Sequence, residues 1–226
     1  DFILGLNEPQ KIAVSTTEGP VLVLSGAGTG KTKVLTTRLA NLIYKRLAKT
    51  SEILAVTFTN KAAMEMKKRV ETLLKIPVEG MYIGTFHSIG VRLLRKHSDL
   101  IGLKSDFTIL DIDDQLRLLK QVILLLDLDP KVHVAKNFLY MIDQVKNSGL
   151  FSDDIFNHPF EEQTNGKFSK IYITYQKRLR NFNAVDFGDL ILLPIKLMRE
   201  NDEILNFYQN KFKYLRVDEY HDTNGV

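Results

Sequence analysis

Cysteine is missing from this 226-residue chain. Its absence excludes a disulfide framework and a thiolate metal site. The five histidines, His87, His97, His133, His158 and His221, are scattered, and no two share a metal-ligand spacing. A structural metal is therefore not expected. Long apolar runs are also lacking, and stretches such as Val122–Leu126 are far too short to cross a bilayer. The opening DFILGLNEPQ has no basic segment leading into an apolar one, so it does not read as a signal peptide. A cytoplasmic protein with no membrane partner is the expectation. The first residue is Asp rather than Met, which reads as a trimmed or engineered start. Low-complexity linkers and internal repeats are absent too.

What is present is ordinary for a globular chain: 44% hydrophobic and 26% charged residues. The formal charge of +4 and a pI near 9.1 permit a nucleic-acid partner without demanding one. Short apolar runs bounded by polar residues or glycine predict buried parallel strands at Val21–Leu24, Ile53–Phe58, Met81–Gly84 and Tyr214–Val217. Helical spacing predicts helices at Lys31–Arg46, Asn60–Leu74 and Ser88–Lys96 between them. Strand alternating with helix points to an α/β fold with a parallel sheet. From about residue 90 to 185 the pattern changes. Leu recurs at helical spacing over Asp113–Leu126, and Val134–Asn147 and Lys167–Asn181 continue the theme. No strand is evident there, so the fold is predicted to be α/β interrupted by a helical insertion, with the α/β part resuming at Asp186.

The strongest single motif is Ser25-Gly26-Ala27-Gly28-Thr29-Gly30-Lys31-Thr32, between a predicted strand and a predicted helix. Glycines let backbone N–H groups converge on phosphate oxygens, and the helix N-terminus adds partial positive charge. Lys31 would reach the β- and γ-phosphates, and the Thr32 hydroxyl would ligate Mg²⁺. The strict P-loop pattern wants Gly where Ser25 stands. A phosphate loop needs an acidic partner for its metal. Asp218, closing a predicted strand, would hold Mg²⁺, and Glu219 beside it could polarise the attacking water. Together these residues indicate nucleotide hydrolysis.

Several segments, in order, resemble the UvrD/Rep/PcrA-like superfamily 1 DNA helicases over essentially the whole chain. Leu6-Asn7-Glu8-Pro9-Gln10 looks like the family's motif upstream of the phosphate loop, and the resemblance implies that Gln10 reads adenine. Family members often carry Arg after the phosphate-loop Thr, stacking on the base; here Lys33 stands there and would stack less well. A small residue other than Gly at the position of Ser25 is common in the family. Ala55 to Ala63, AVTFTNKAA, is similar to the first DNA-contact motif. It implies that Phe58 packs on a base and that Thr59 and Asn60 bond phosphate or cap the following helix. From the residues alone, Phe58 could equally be core. Gly84-Thr85-Phe86-His87-Ser88 is similar to the second DNA-contact motif, with Thr85 and His87 toward the DNA backbone and Phe86 in support. The acidic motif departs at His221, where the family usually has a glutamine near the γ-phosphate; coupling of nucleotide to DNA grip is what this puts in doubt.

Under this resemblance, residues 1–89 are the first part of a RecA-like P-loop NTPase subdomain 1A. Residues 90–185 are the helical subdomain 1B, and 186–226, beginning in the segment Ala184–Leu190, return to 1A. The implied activity is ATP- and Mg²⁺-dependent 3′→5′ translocation or unwinding, in repair or replication, on single-stranded DNA and single-strand/duplex junctions. A second RecA-like domain, which supplies transition-state arginines in the family, is expected beyond Val226. This chain by itself is then expected to bind ATP but hydrolyse it poorly. Rival readings are the helicase part of a RecB- or AddA-type recombination nuclease, and a single-strand-binding module with structural ATP. A small kinase or GTPase is a third, but no Asn-Lys-x-Asp guanine motif is present.

Overall fold

A computed structural model describes residues 3–24, 26 and 28–218. They form two compact units: residues 3–89 with 203–218, and residues 90–202. In chain order, α1 is Glu8–Ser15, α2 Lys31–Tyr44, β1 Ile53–Val56, α3 Asn60–Leu74, β2 Tyr82–Gly84 and α4 Phe86–Lys96. The next elements are β3 Thr108–Ile109, α5 Ile112–Leu125, α6 Ala135–Asn147, α7 Pro159–Gln163, α8 Phe168–Asn181, β4 Ala184–Val185 and α9 Asp189–Glu200. The last two are α10 Asp202–Lys211 and β5 Tyr214–Val217. The fold is mixed α/β with a parallel sheet.

The first unit is built on a parallel sheet of order β2-β1-β5. Leu54 pairs with both Tyr82 and Leu215, and Val56 with both Gly84 and Val217. All three strands therefore end at one rim. The helix α3 follows from its sequence. The Thr59 side chain accepts from the Ala62 N–H and caps its start. Ala63, Met66 and Val70 then recur on one face and are buried. Met66 and Val70 pack with Leu39 and Leu42 of α2 and Ile53 and Ala55 of β1. Each fully buried aliphatic side chain here contributes roughly 1.5–3 kcal/mol relative to exposure. Leu6, Ala13 and Val14 seat α1 against Val34 of α2.

One predicted strand is not formed. Residues Val21–Leu24 form no strand and join no sheet among the described residues, and Leu22 and Leu24 are 72% and 85% exposed. A cavity of about 920 Å³ lies between this segment and β5. The reason for the difference is physical. A four-residue apolar run records that a segment favours burial, while a strand also needs a neighbour within hydrogen-bond reach. Among the described residues the motif context is thus turn and helix, without a paired strand before it.

The second unit is mainly helical. Leu119, Val122 and Ile123 of α5, Phe138 and Ile142 of α6, and Ile171, Tyr172 and Tyr175 of α8 form its core. It also holds a small parallel pair, β3 with β4, that the sequence did not suggest. Two residues per strand carry no readable period. Residues 186–202 belong to this unit, whereas the sequence placed the return to the α/β part at Asp186. What holds them is specific. Asp186 and Asp189 both accept from the buried Lys146 ammonium of α6, at 2.6 and 2.9 Å. Pro194, inside α9, lacks the N–H that would bond the Leu190 carbonyl. Gly90 packs on that same carbonyl, and a Cβ there would lie 2.0 Å from it, so only glycine fits.

Candidate functional site

The site residues of the first unit gather at the rim where its strands end. Thr57 follows β1, and its N–H donates to the Gly84 carbonyl at 2.9 Å. Asp218 follows β5, and its N–H donates to the Val56 carbonyl at 2.9 Å. These two bonds extend the ladders by one residue and fix where the chain leaves each strand. Loops at the carboxyl ends of parallel strands are the usual place for ligands in α/β folds.

The glycine-rich turn leads directly into α2. Gly28 and Gly30 have φ of 76° and 90°, and Gly30 is the N-cap of α2. At Gly30 the left-handed backbone and a close approach coincide: a Cβ would sit 3.1 Å from the Gln10 amide nitrogen. The Thr29 hydroxyl donates to the Gly26 carbonyl at 2.7 Å, which tightens the turn. Lys31 and Thr32 then occupy the first turn of α2, where backbone N–H groups are unspent by the helix. Lys31 and Asp218 line the same 920 Å³ cavity. Backbone in the left-handed region, a helix N-terminus, a lysine, a hydroxyl and a carboxylate are a donor set that fits a nucleotide triphosphate with a divalent cation. Ser25, Ala27, Glu219 and His221 lie outside the described residues.

Two arginines that the sequence reading missed line the same cavity. Arg38 of α2 is buried and donates to the Ala13 carbonyl, and its Nε and Nη2 have no hydrogen-bond partner among the described residues. Arg216 of β5 likewise keeps Nε and Nη2 unpartnered. Burial, with the Arg38 charge nearby, pushes the Arg216 pKa down to about 10. With Lys31 and Lys213, the two arginines outnumber Glu18 and Asp218 on the cavity wall, so the lining carries a net positive formal charge. The apolar pattern of α2 carries no sign of this, because Arg38 occupies a core-facing position.

Around the turn, Gln10 donates from Nε2 to the Thr29 carbonyl at 3.1 Å. Lys33 donates to the Gly5 carbonyl at 2.7 Å, which directs its ammonium to the turn before α1. On the rim, Phe58 is 66% exposed, so it is not core. Thr59 is the N-cap of α3 and Asn60 its first residue. Thr85 accepts from the Ser88 N–H at 3.1 Å and so caps α4. Phe86 and His87 follow in the first turn, with Phe86 exposed. Desolvation lowers the His87 pKa below its usual 6.5.

The sequence profile of the UvrD/REP helicase N-terminal domain matches residues 6–226. The ATP-dependent DNA helicase PcrA of Bacillus subtilis is 45% identical over 223 residues, covering 99% of this chain and 30% of that protein. DNA helicase II of Rickettsia typhi is 45% identical over 227 residues, 99% of this chain and 34% of its own length. PcrA of Staphylococcus aureus is 42% identical over 219 residues, 97% and 30%. The chain spans about a third of the length of the curated relatives it matches.

Proposed function

Because the chain belongs to the UvrD/REP helicase N-terminal domain family, we propose that it is the ATP-binding part of an ATP-dependent DNA helicase that moves 3′→5′ along single-stranded DNA in repair or replication. The observation that carries this reading is the meeting of two residue sets at one rim. Lys31 and Asp218 face a common cavity whose lining carries a net positive formal charge, while Phe58 and Phe86 stand exposed at the ends of the neighbouring strands.

In this reading, backbone N–H groups of Gly26 to Gly30 and of the first turn of α2 cradle phosphate oxygens. The Lys31 ammonium holds the charge of the β- and γ-phosphates. The Thr32 hydroxyl and the Asp218 carboxylate would hold Mg²⁺, which would supply positive charge against the phosphate oxygens. Glu219, directly after Asp218, orients the attacking water and takes its proton. Arg38 and Arg216, on the wall of the same cavity, add positive charge that attracts the polyphosphate. Gln10 reads adenine. Phe58 supplies a stacking face, Phe86 supports it, and Asn60, Thr85 and His87 position the DNA backbone. Thr59 acts through α3, whose start it caps.

The test is fluorescence anisotropy of a labelled single-stranded oligonucleotide with the 226-residue chain, against a blunt duplex of the same sequence, over a salt series. Preference for the single strand, weakening as salt rises, is expected. Equal or tighter binding of the blunt duplex contradicts the reading.

A further inference from the structure

Gln10 is held at both ends of its amide. Its Oε1 accepts from the Asn7 backbone N–H at 3.1 Å, and its Nε2 donates to the Thr29 carbonyl at 3.1 Å. Asn7 in turn caps α1. Its side chain accepts from the Gln10 backbone N–H at 3.0 Å, closing a reciprocal capping box. Beside the amide lies a cavity of about 150 Å³ walled by Pro9, Ala13 and Val34, with Asn7, Gln10 and Thr29 also on its lining.

A primary amide carries two N–H donors and two acceptor lone pairs. The two bonds leave Gln10 one N–H and one lone pair. A flipped amide would set N–H against the Asn7 N–H and oxygen against the Thr29 carbonyl, so the network admits one orientation. The exposed edge of adenine offers a donor at N6 and an acceptor at N7, while guanine offers acceptors at both O6 and N7. An unrestrained amide could turn both N–H groups toward guanine. An amide that has spent one N–H on Thr29 cannot, and its remaining oxygen would face O6.

We propose that Asn7 is a positioning residue for purine selection: by capping α1 it fixes the Gln10 amide, jointly with the Thr29 carbonyl, in the one orientation that accepts adenine and rejects guanine. This rests on Gln10 being the adenine reader. It also ties base recognition to the phosphate loop, because the anchor on Gln10 is the carbonyl of a loop residue. Gly30 leaves the room this requires, since a Cβ there would approach the Gln10 amide nitrogen to 3.1 Å.

The experiment measures affinities of the 226-residue chain for Mg-ATP, Mg-GTP and inorganic tripolyphosphate by calorimetry, for the parent, Asn7→Ala, Asn7→Asp and Gln10→Ala. Asn7→Ala removes the cap that seats the Gln10 backbone while leaving both bonds to its amide possible, so the amide is held less firmly and the ATP-over-GTP affinity ratio is expected to fall, by at most about tenfold, the limit of one hydrogen bond's discrimination. Tripolyphosphate affinity stays unchanged, and Asn7→Asp, which keeps a capping oxygen, keeps the ratio. Asn7→Gly is the substitute if the alanine variant does not fold, because glycine at an N-cap costs only a few tenths of a kcal/mol. A ratio unchanged in Asn7→Ala but lost in Gln10→Ala overturns the role of Asn7 and leaves the adenine reading standing. A ratio unchanged in both overturns the adenine reading itself. Equal losses for all three ligands in Asn7→Ala show general damage to the loop and also overturn the proposal.

Discussion

Replacing Lys146 by Met should cost the helical unit a large share of its stability. The Lys146 side chain has no solvent exposure, nor have those of Asp186 and Asp189. Its ammonium donates to Asp186 Oδ2 at 2.6 Å, to Asp189 Oδ1 at 2.9 Å and to Gln176 Oε1 at 2.8 Å. Burial by itself would lower the Lys146 pKa, but the Asp186 and Asp189 charges outweigh it and hold the lysine protonated. Burial, then the Asp189 charge, raises the Asp186 pKa against the pull of Lys146. Methionine keeps most of the volume and removes the charge. Two carboxylates then face each other in the interior with Tyr175 and Gln176 as the remaining side-chain donors. Breaking a buried ion pair by removing one partner costs about 3–5 kcal/mol, against about 5–15 kcal/mol for a whole domain. The assay is urea unfolding, followed by the near-ultraviolet signal of the buried Tyr172 and Tyr175 and by far-ultraviolet circular dichroism. The pH dependence has a definite sign. A carboxyl whose folded pKa is raised favours folding when protonated, so the deficit should shrink as pH falls. Adding Asp186→Asn and Asp189→Asn should recover most of the loss, since it removes the stranded charges. A deficit below about 1 kcal/mol at pH 7.5, the scale of an exposed pair, or one indifferent to pH, refutes the reasoning.

Asp143→Asn should do the opposite. Burial and the Asp186 charge raise the Asp143 pKa from 3.8 to about 6. Its ionised form therefore destabilises the fold above that pH. The asparagine variant should be more stable by about 1–2 kcal/mol at pH 8, after discounting for partial exposure, with the gain fading between pH 6 and 4; a pH-independent difference in urea unfolding would count against it. Phe58→Ala should weaken single-strand binding by about 1–3 kcal/mol while leaving the slope of log affinity against log salt unchanged, because it removes stacking and no phosphate contact; a changed slope in anisotropy titrations would contradict the assignment. Gly90→Ala should destabilise the helical unit by more than about 1 kcal/mol, because the Leu190 carbonyl occupies the Cβ position; a thermal transition unchanged from the parent would show that α4 and α9 can separate at little cost.

Much of the first unit was legible because its signals are local. The boundaries of α3 follow from the Thr59 cap and the Ala63, Met66 and Val70 spacing, and the glycines of the phosphate loop announce the start of α2 within a few residues. The burial of Arg38 was not legible, because nothing in a helical pattern distinguishes a buried arginine from an exposed one. Asp186 and Asp189 read as flags of a returning α/β chain. Their partner Lys146 is 40 and 43 residues away, and a pairing over that distance leaves no trace in spacing. The Val21–Leu24 run failed for a related reason: strand formation depends on a neighbour that the run does not encode. Phe58 was ambiguous in sequence, since an aromatic after a strand suits either core or surface, and its exposure settles that choice of environment.

Nucleotide binding at the phosphate loop is the first requirement of an ATP-dependent helicase part. Calorimetric titration of Mg-ATP into the 226-residue chain, the Lys31→Ala variant and the Asp218→Asn variant measures it. Saturable one-to-one binding by the parent chain is expected, most of it lost in Lys31→Ala, with a weaker dependence on Mg²⁺ in Asp218→Asn. Unchanged Mg-ATP affinity in Lys31→Ala would contradict binding at the loop.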